Sequence, residues 1–287
     1  VLLALLKGML KLPMGAALGI GATLGGGAAY AGWKVSGDIP KSVPATQQSM
    51  VQGVPFWNDL GAAGVDSVVV GAHTVFPVKE APGTRVLAGL GVPDARGVYG
   101  DWFIYTTDDL EFEGPPNGRR TGTAGRVFRV YEEDGVVDSH LFGPGDFIAL
   151  QDAEEELAQV EADLKAAGFD DASGLESRKS EVKGLIKAIK AEPLSTPFKI
   201  ERLPTGAGVA VTVGGTSVDL GVGDWTPFVP VEFIASPMWT VHALARIKLV
   251  ALEPALQLFV EPLQLDPSNP PPHNAICWPP DFSRRLA

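Results

Sequence analysis

The sequence predicts an α/β unit that gives way to an antiparallel β region, with a helical hairpin inserted between them. Three observations carry this prediction. An amphipathic stretch at Phe56–Ala63, closed by Gly64, runs directly into the β-branched segment Ser67–Val70, a helix followed by a strand of the kind buried in parallel sheets. Residues 152–190 become dense in Glu and Lys, with apolar residues at helical spacing and a break around Gly168–Gly174, the pattern of two antiparallel helices. From Phe198 onward short β-type runs recur, as they do in antiparallel sheets.

In chain order, residues 1–52 stand apart from the rest. Between Leu12 and Trp33 no residue is charged, the run is rich in Gly and Ala, and Lys7, Lys11 and Lys34 flank it. Its length reaches the roughly 20 residues that a membrane helix requires, and Gly15, Gly19, Gly21 and Gly25 have the spacing of close-packing pairs. Three readings stand: membrane association through 12–33, a signal peptide cleaved near Ala29-Tyr30-Ala31, or a buried glycine-rich connection. The polar, Pro-containing stretch Ser36–Gln52 reads as a linker. Residues 53–150 then form a partial α/β core, 151–192 the helical hairpin, and 193–287 a β-rich cap with a proline-rich tail at 267–280.

Within the core, the runs Arg126–Tyr131 and Val136–Leu141 are expected to form a β-hairpin turned by Asp134-Gly135. The helices are expected to open on Glu154, Glu155 and Glu156 and to close on Lys183, Lys187 and Lys190, acid first and base last as the helix dipole favours. In the cap the expected strands are Lys199–Leu203, Val209–Val213, Ser217–Leu220, Phe228–Ile234, Ala243–Leu252 and Leu256–Val260.

The most particular stretch is Phe76–Tyr105, FPVKEAPGTRVLAGLGVPDARGVYGDWFIY. Gly89, Gly91, Gly97, Gly100 and Pro93 impose backbone shape, and Tyr99, Trp102, Phe103 and Tyr105 add aromatic bulk, so it reads as a shaped, walled loop. His73 follows the Ser67–Val70 strand and is expected at its C-terminal end, where α/β proteins bind ligands; the plainer alternative is a neutral histidine satisfied by backbone. Asp94 and Arg96 are suited to steering a phosphate or sugar hydroxyl, or else to pairing with each other or capping loop amides. With Tyr99 and Trp102 these residues make up the candidate substrate pocket.

Composition narrows the classes. Of 287 residues, 45% are hydrophobic, enough to build a core, and the net charge of −11 argues against a nucleic-acid partner. The lone Cys277 excludes an internal disulfide and is expected to be buried and inert. None of the four histidines stands in a recognised metal-binding spacing; Asp138 and His140 share a strand face without a third ligand in sight. Trp225, Trp239 and Trp278 are read either as core or as a stacking platform for sugar. The sequence has no Gly-x-Ser-x-Gly elbow, phosphate-binding P-loop or Cys-x-x-Cys pair.

Four segments carry a family resemblance: GVPFWNDL with TVFPV (Gly53–Leu60, Thr74–Val78), LAGLGVPDARG (Leu87–Gly97), LGVGDWTPFVPVEF (Leu220–Phe233) and LFVEPLQLDPSNPPP (Leu258–Pro272). In this order they resemble the type I phosphodiesterase/nucleotide pyrophosphatase branch of the alkaline phosphatase superfamily, where "SGLGVPDIRGTxGT", "GEWSxWVxVxF" and "YxSPxxIDPxNP" occur. The resemblance implies a partial alkaline-phosphatase-like core and hydrolysis of a phosphorylated small molecule, or a lipid or sugar phosphoester, with divalent metal ions, zinc foremost. It places the nucleophile and first metal-binding Asp upstream of the "PFW" segment, and the other ligands, an Asp-His pair among them, downstream of "IDPxNP". The chain is therefore read as an internal section, inactive alone, of a hydrolase for which the cell envelope or periplasm is favoured over the cytoplasm. The competing expectation is a non-catalytic, envelope-associated module that binds glycan or protein.

Overall fold

The computed structural model describes residues 53–109, 119–120, 125–166, 172–270 and 275–287; the 12–33 run and the 36–52 linker lie outside them. The described chain is mixed α/β, with four helices and several small sheets. No described helix is long and apolar enough to cross a membrane.

Helix α1 (Phe56–Ala62) is entered through Pro55 and left through Gly64. Gly64 takes the left-handed conformation (φ +76°), which lets its N–H bond the Gly61 carbonyl and the Val65 N–H bond that of Leu60, so the last turn's carbonyls are satisfied. Strand β1 (Ser67–Ala72) follows and pairs in parallel with β2 (Thr84–Ala88), Val69 opposite Val86. The Thr84 hydroxyl donates to the Trp57 carbonyl at 3.1 Å, anchoring α1 on the Ser67/Val69 face.

The expected buried character of β1 is not what the structure shows. β1 is an edge strand of a three-stranded sheet, and Val68 and Val70, on the face away from α1, are 54% and 60% exposed. An all-Val run usually marks a strand covered on both faces; here, among the described residues, β2 alone pairs with it and one face is covered. The third strand, β15 (Cys277–Trp278), returns from the proline-rich tail to pair antiparallel with β2, and α4 (Phe282–Leu286) packs on the same strand. Phe76, Ala88, Ile276, Cys277 and Phe282 form the small core of this unit, with Cys277 buried as expected.

The three other sheets meet in one larger core. A five-stranded sheet runs in the order β12 (Ile247–Ala251), β13 (Gln257–Val260), β3 (Trp102–Thr106), β5 (Gly125–Arg129), β4 (Arg119–Arg120). A four-stranded meander runs through β6 (Val136–Phe142), β7 (Ser195–Arg202), β8 (Gly208–Val213) and β9 (Thr216–Gly221). A third sheet joins β10 (Val229–Ser236), β11 (Trp239–Ala245) and β14 (Gln264–Leu265). Each of the six strands expected beyond Phe198 is present, the Ala243–Leu252 run being divided between the end of β11 and β12.

The Arg126–Leu141 hairpin is corrected. Asp134 (φ +50°) and Gly135 (φ +78°) do make the expected two-residue turn, with paired backbone bonds between Glu133 and Val136, as a type I′ turn requires. The flanking strands then diverge: β5 pairs in parallel with β3, and β6 pairs with β7. The turn chemistry was local and legible, while the partner of each strand is set by distant apolar faces.

The helical hairpin consists of α2 (Phe147–Ala166) and α3 (Ala172–Ala191). It leaves and re-enters the meander at one point, since Phe142 pairs with Ser195 and the Gly143 N–H bonds the Leu194 carbonyl at 2.7 Å. Helix α2 starts before the expected Glu cluster, at Asp146, whose carboxylate accepts the Ala149 N–H at 3.0 Å and so supplies an N-cap. Cross-helix ion pairs join Arg178 to Glu156, Lys179 to Glu161 and Lys190 to Glu154. At the centre of the main core the rings of Phe142, Phe128 and Tyr105 are stacked in series, 4.9 Å between successive centroids, and Tyr105 meets Phe198 edge-on.

Candidate active site crevice

The parallel strands β1 and β2 bring their C-terminal ends together, which is where an α/β sheet presents loops to a ligand. Beyond the strands the Gly89 N–H bonds the Ala72 carbonyl and the Thr74 N–H bonds the Leu90 carbonyl, each at 2.8 Å. Thr74 takes a left-handed backbone (φ +58°) and its hydroxyl donates to the His73 carbonyl at 2.7 Å. Tyr99 reaches back over this junction, its hydroxyl donating to the Gly91 carbonyl at 3.3 Å, while its ring stays 54% exposed. His73 is exposed beside Thr74. His73 and Tyr99 thus stand on one rim.

Below the rim lies a cavity of about 220 Å³ bounded by the start of α1 and the segment after β1, including Pro55, Trp57, Asn58, Thr74, Pro77 and Lys79. Asn58 Oδ1 is buried there without a hydrogen-bond partner. Asn58, Thr74 and Lys79 were not among the expected pocket residues. The signal existed, because Gly53–Leu60 and Thr74–Val78 were both singled out; what the sequence withheld was that these two stretches face each other.

Asp94 and Arg96 sit behind the rim. Asp94 Oδ1 accepts the N–H groups of Arg96 and Val98, at 2.9 and 3.1 Å, and the Ala95 N–H bonds the Leu263 carbonyl at 2.7 Å. Of the two structural alternatives, Asp94 therefore caps loop amides. Arg96 turns to Asp101 at 3.3 Å, donates through Nε to the Gly143 carbonyl, and lies over the Phe103 ring at 4.9 Å. Burial pushes the Asp94 carboxyl up to about 6 against the opposing amide hydrogen bonds and the Arg96 charge. Trp102 does not line the crevice: it packs at 5.9 Å from Phe259 and over Gly125, where an added Cβ would come within 2.4 Å of the indole.

The three candidate tryptophans fall on separate sheets. Trp225 bridges to β12, with Arg246 at 4.9 Å and Lys248 at 5.4 Å from its ring; Trp239 packs edge-on to Phe147; Trp278 lies on β15. Asp138 faces Lys199 across the sheet and His140 faces Pro197. Among the described residues no three of His, Cys, Asp and Glu converge, so these residues do not by themselves fit a metal centre.

The resemblance-bearing segments, far apart in sequence, meet in space. Gly53–Leu60 and Thr74–Val78 line one cavity, Ala95 of the third stretch bonds Leu263 of the last, and Trp225 lies edge-on to Phe259 at 6.0 Å. No family model, curated protein or solved structure matches the chain.

Proposed function

We propose that this chain is the central section of a metal-dependent phosphoester hydrolase of the kind its four segments resemble, and that it supplies the substrate-pocket wall. The observation that carries the reading is that Gly53–Leu60 and Thr74–Val78 line one cavity past the end of β1, with Thr74 bonded to Leu90 and Ala95 to Leu263 beside it. His73 and Tyr99 line the rim, Asp94 and Arg96 hold the turn behind it, and Asn58, Thr74 and Lys79 floor the cavity. In this reading the nucleophile and the divalent metal ligands, zinc in the first instance, belong to polypeptide outside the described residues. The exposed Val68/Val70 face, and an edge of β1 that no described strand pairs, support it, because a parallel sheet is stable when both faces are covered and its edge paired.

The imidazole of His73 can donate a hydrogen bond to a phosphoester oxygen, and the phenol oxygen of Tyr99, whose one O–H goes to the Gly91 carbonyl, can accept one from a hydroxyl of the alcohol part of the substrate. The test is hydrolysis of bis-p-nitrophenyl phosphate with added zinc, for this chain alone and for a polypeptide extended at both ends. The extended protein is expected to turn over and this chain is not. Hydrolysis by this chain alone, or none by the extended protein, overturns the reading.

One observation favours a second reading, a non-catalytic binding module. Phe228 is 50% exposed beside Trp225, with Arg246 over both rings, an aromatic and cationic face suited to glycan or an acidic protein segment. That reading predicts metal-independent glycan or partner binding that is lost in Trp225→Ala.

A further inference from the structure

We propose that Asp94 is a proton-dependent clasp that fixes the 94–98 turn and thereby the position of Tyr99 at the crevice rim. The turn closes on this one residue. Its backbone N–H bonds the Val98 carbonyl, its carbonyl accepts the Gly97 N–H, and its Oδ1 accepts two further amides. Tyr99 is the next residue after Val98, so its reach to Gly91 depends on the turn staying closed.

The carboxyl is used unevenly. Asp94 is 7% exposed, and Oδ2 is buried without a hydrogen-bond partner. An ionised carboxylate there carries charge on an oxygen that nothing solvates, whereas a proton on Oδ2 removes that charge and leaves Oδ1 free to accept both amides. The charged groups bearing on it are Arg96 and Asp101, and they are paired with each other. From the other elements packed against the turn, Glu261 pairs with Arg246, Asp266 accepts from Ser268 and Asn269, and Asp146 caps α2.

The direction follows from linkage. In the closed turn the carboxyl holds its proton up to about pH 6, against an ordinary 3.8 once the turn opens to water. The closed state is therefore most favoured below pH 4, loses ground between pH 4 and 6, and levels off above. A gap of about two pH units between the closed and open forms corresponds to a change on the order of a hundredfold in the closing equilibrium. The clasp is independent of which reaction, if any, the crevice serves.

Amide hydrogen exchange of the full chain tests it. After correction for intrinsic rates, protection of the Arg96 and Val98 amides is expected to fall by on the order of a hundredfold between pH 4 and pH 7. Asp94→Asn, which keeps the Oδ1 acceptor and cannot ionise, is expected to show no such fall. Protection independent of pH in the native chain, or the same fall in the variant, overturns the clasp. Direct titration of the Asp94 carboxyl carbon by NMR gives an answer that needs no variant: a midpoint near 6 supports it, and one in the ordinary carboxylate range overturns it.

Discussion

At Tyr105 a hydroxyl sits inside the densest part of the core and donates to the His140 carbonyl at 2.7 Å, while its ring is stacked on Phe128. Burial raises the Tyr105 pKa far above the ordinary tyrosine value, so the group stays a neutral donor at any pH the protein survives. Tyr105→Phe keeps the stacking and strands the carbonyl lone pair; it is expected to cost about 1 kcal/mol, read from urea denaturation. A loss well above about 3 kcal/mol would show that the hydroxyl organises more than this one bond. Asp94 teaches the complementary lesson: its type and spacing suited either a ligand-facing carboxylate or a cap on loop amides, and in the fold one oxygen caps amides while the other is enclosed. Sequence shows which residues can ionise, and burial decides which of them do.

Among the elements, the helical hairpin shows how unevenly one insertion contributes to stability. Its base packs against the sheets, with Phe147 edge-on to Trp239 and Ile148 buried, whereas farther out it is held by a thin buried seam that includes Val160 and Val182 and by exposed ion pairs worth little singly. Ile148→Ala is expected to cost about 2–4 kcal/mol through lost burial and a residual cavity. Leu185→Ala, at a residue 49% exposed, is expected to cost less than about 0.5 kcal/mol. Thermal denaturation of the two variants checks the contrast, and equal losses would mean that the exposed Leu185 position of α3 is covered in solution. The same unevenness explains the corrected β5–β6 hairpin. Asp134-Gly135 dictates a turn over four residues, but only the large core determines that β5 lies beside β3 and β6 beside β7.

For the whole molecule, the described chain divides its apolar burial very unequally. The main core draws side chains from three sheets, while the β1–β2–β15 unit gathers only a small cluster around Phe76, Ile276 and Phe282 and leaves Val54, Phe56, Val65, Val68, Val70 and Leu90 exposed. Val68 and Val70 share the side of β1 away from α1, and an exposed apolar face of this kind marks a surface that another covers. Val70→Lys separates the two states of that face: in this chain alone it is expected to leave the melting temperature within a few degrees, whereas in the extended polypeptide it is expected to lower stability by about 2 kcal/mol or more. Tolerance in both would leave the β1 face as a free surface and remove one support for the pocket-wall reading.

Periodicity, turn residues and charge order by themselves determined α1 to α3, most strands and the Asp134-Gly135 turn, because those depend on neighbours within a few residues; they missed α4, and they missed β2 and β3 in the stretch expected to be a walled loop. They also singled out the segments that carry the crevice: His73 and Tyr99 were legible as aromatic or titratable residues at shaped positions after a strand. Only the tertiary structure decided that Trp102 belongs to a sheet face, that Arg96 turns to Asp101, that β1 is an edge strand, and that Asn58 meets Thr74 across a cavity. Those outcomes depend on contacts between segments tens to hundreds of residues apart. A pattern confined to one stretch of chain carries no record of what packs against it.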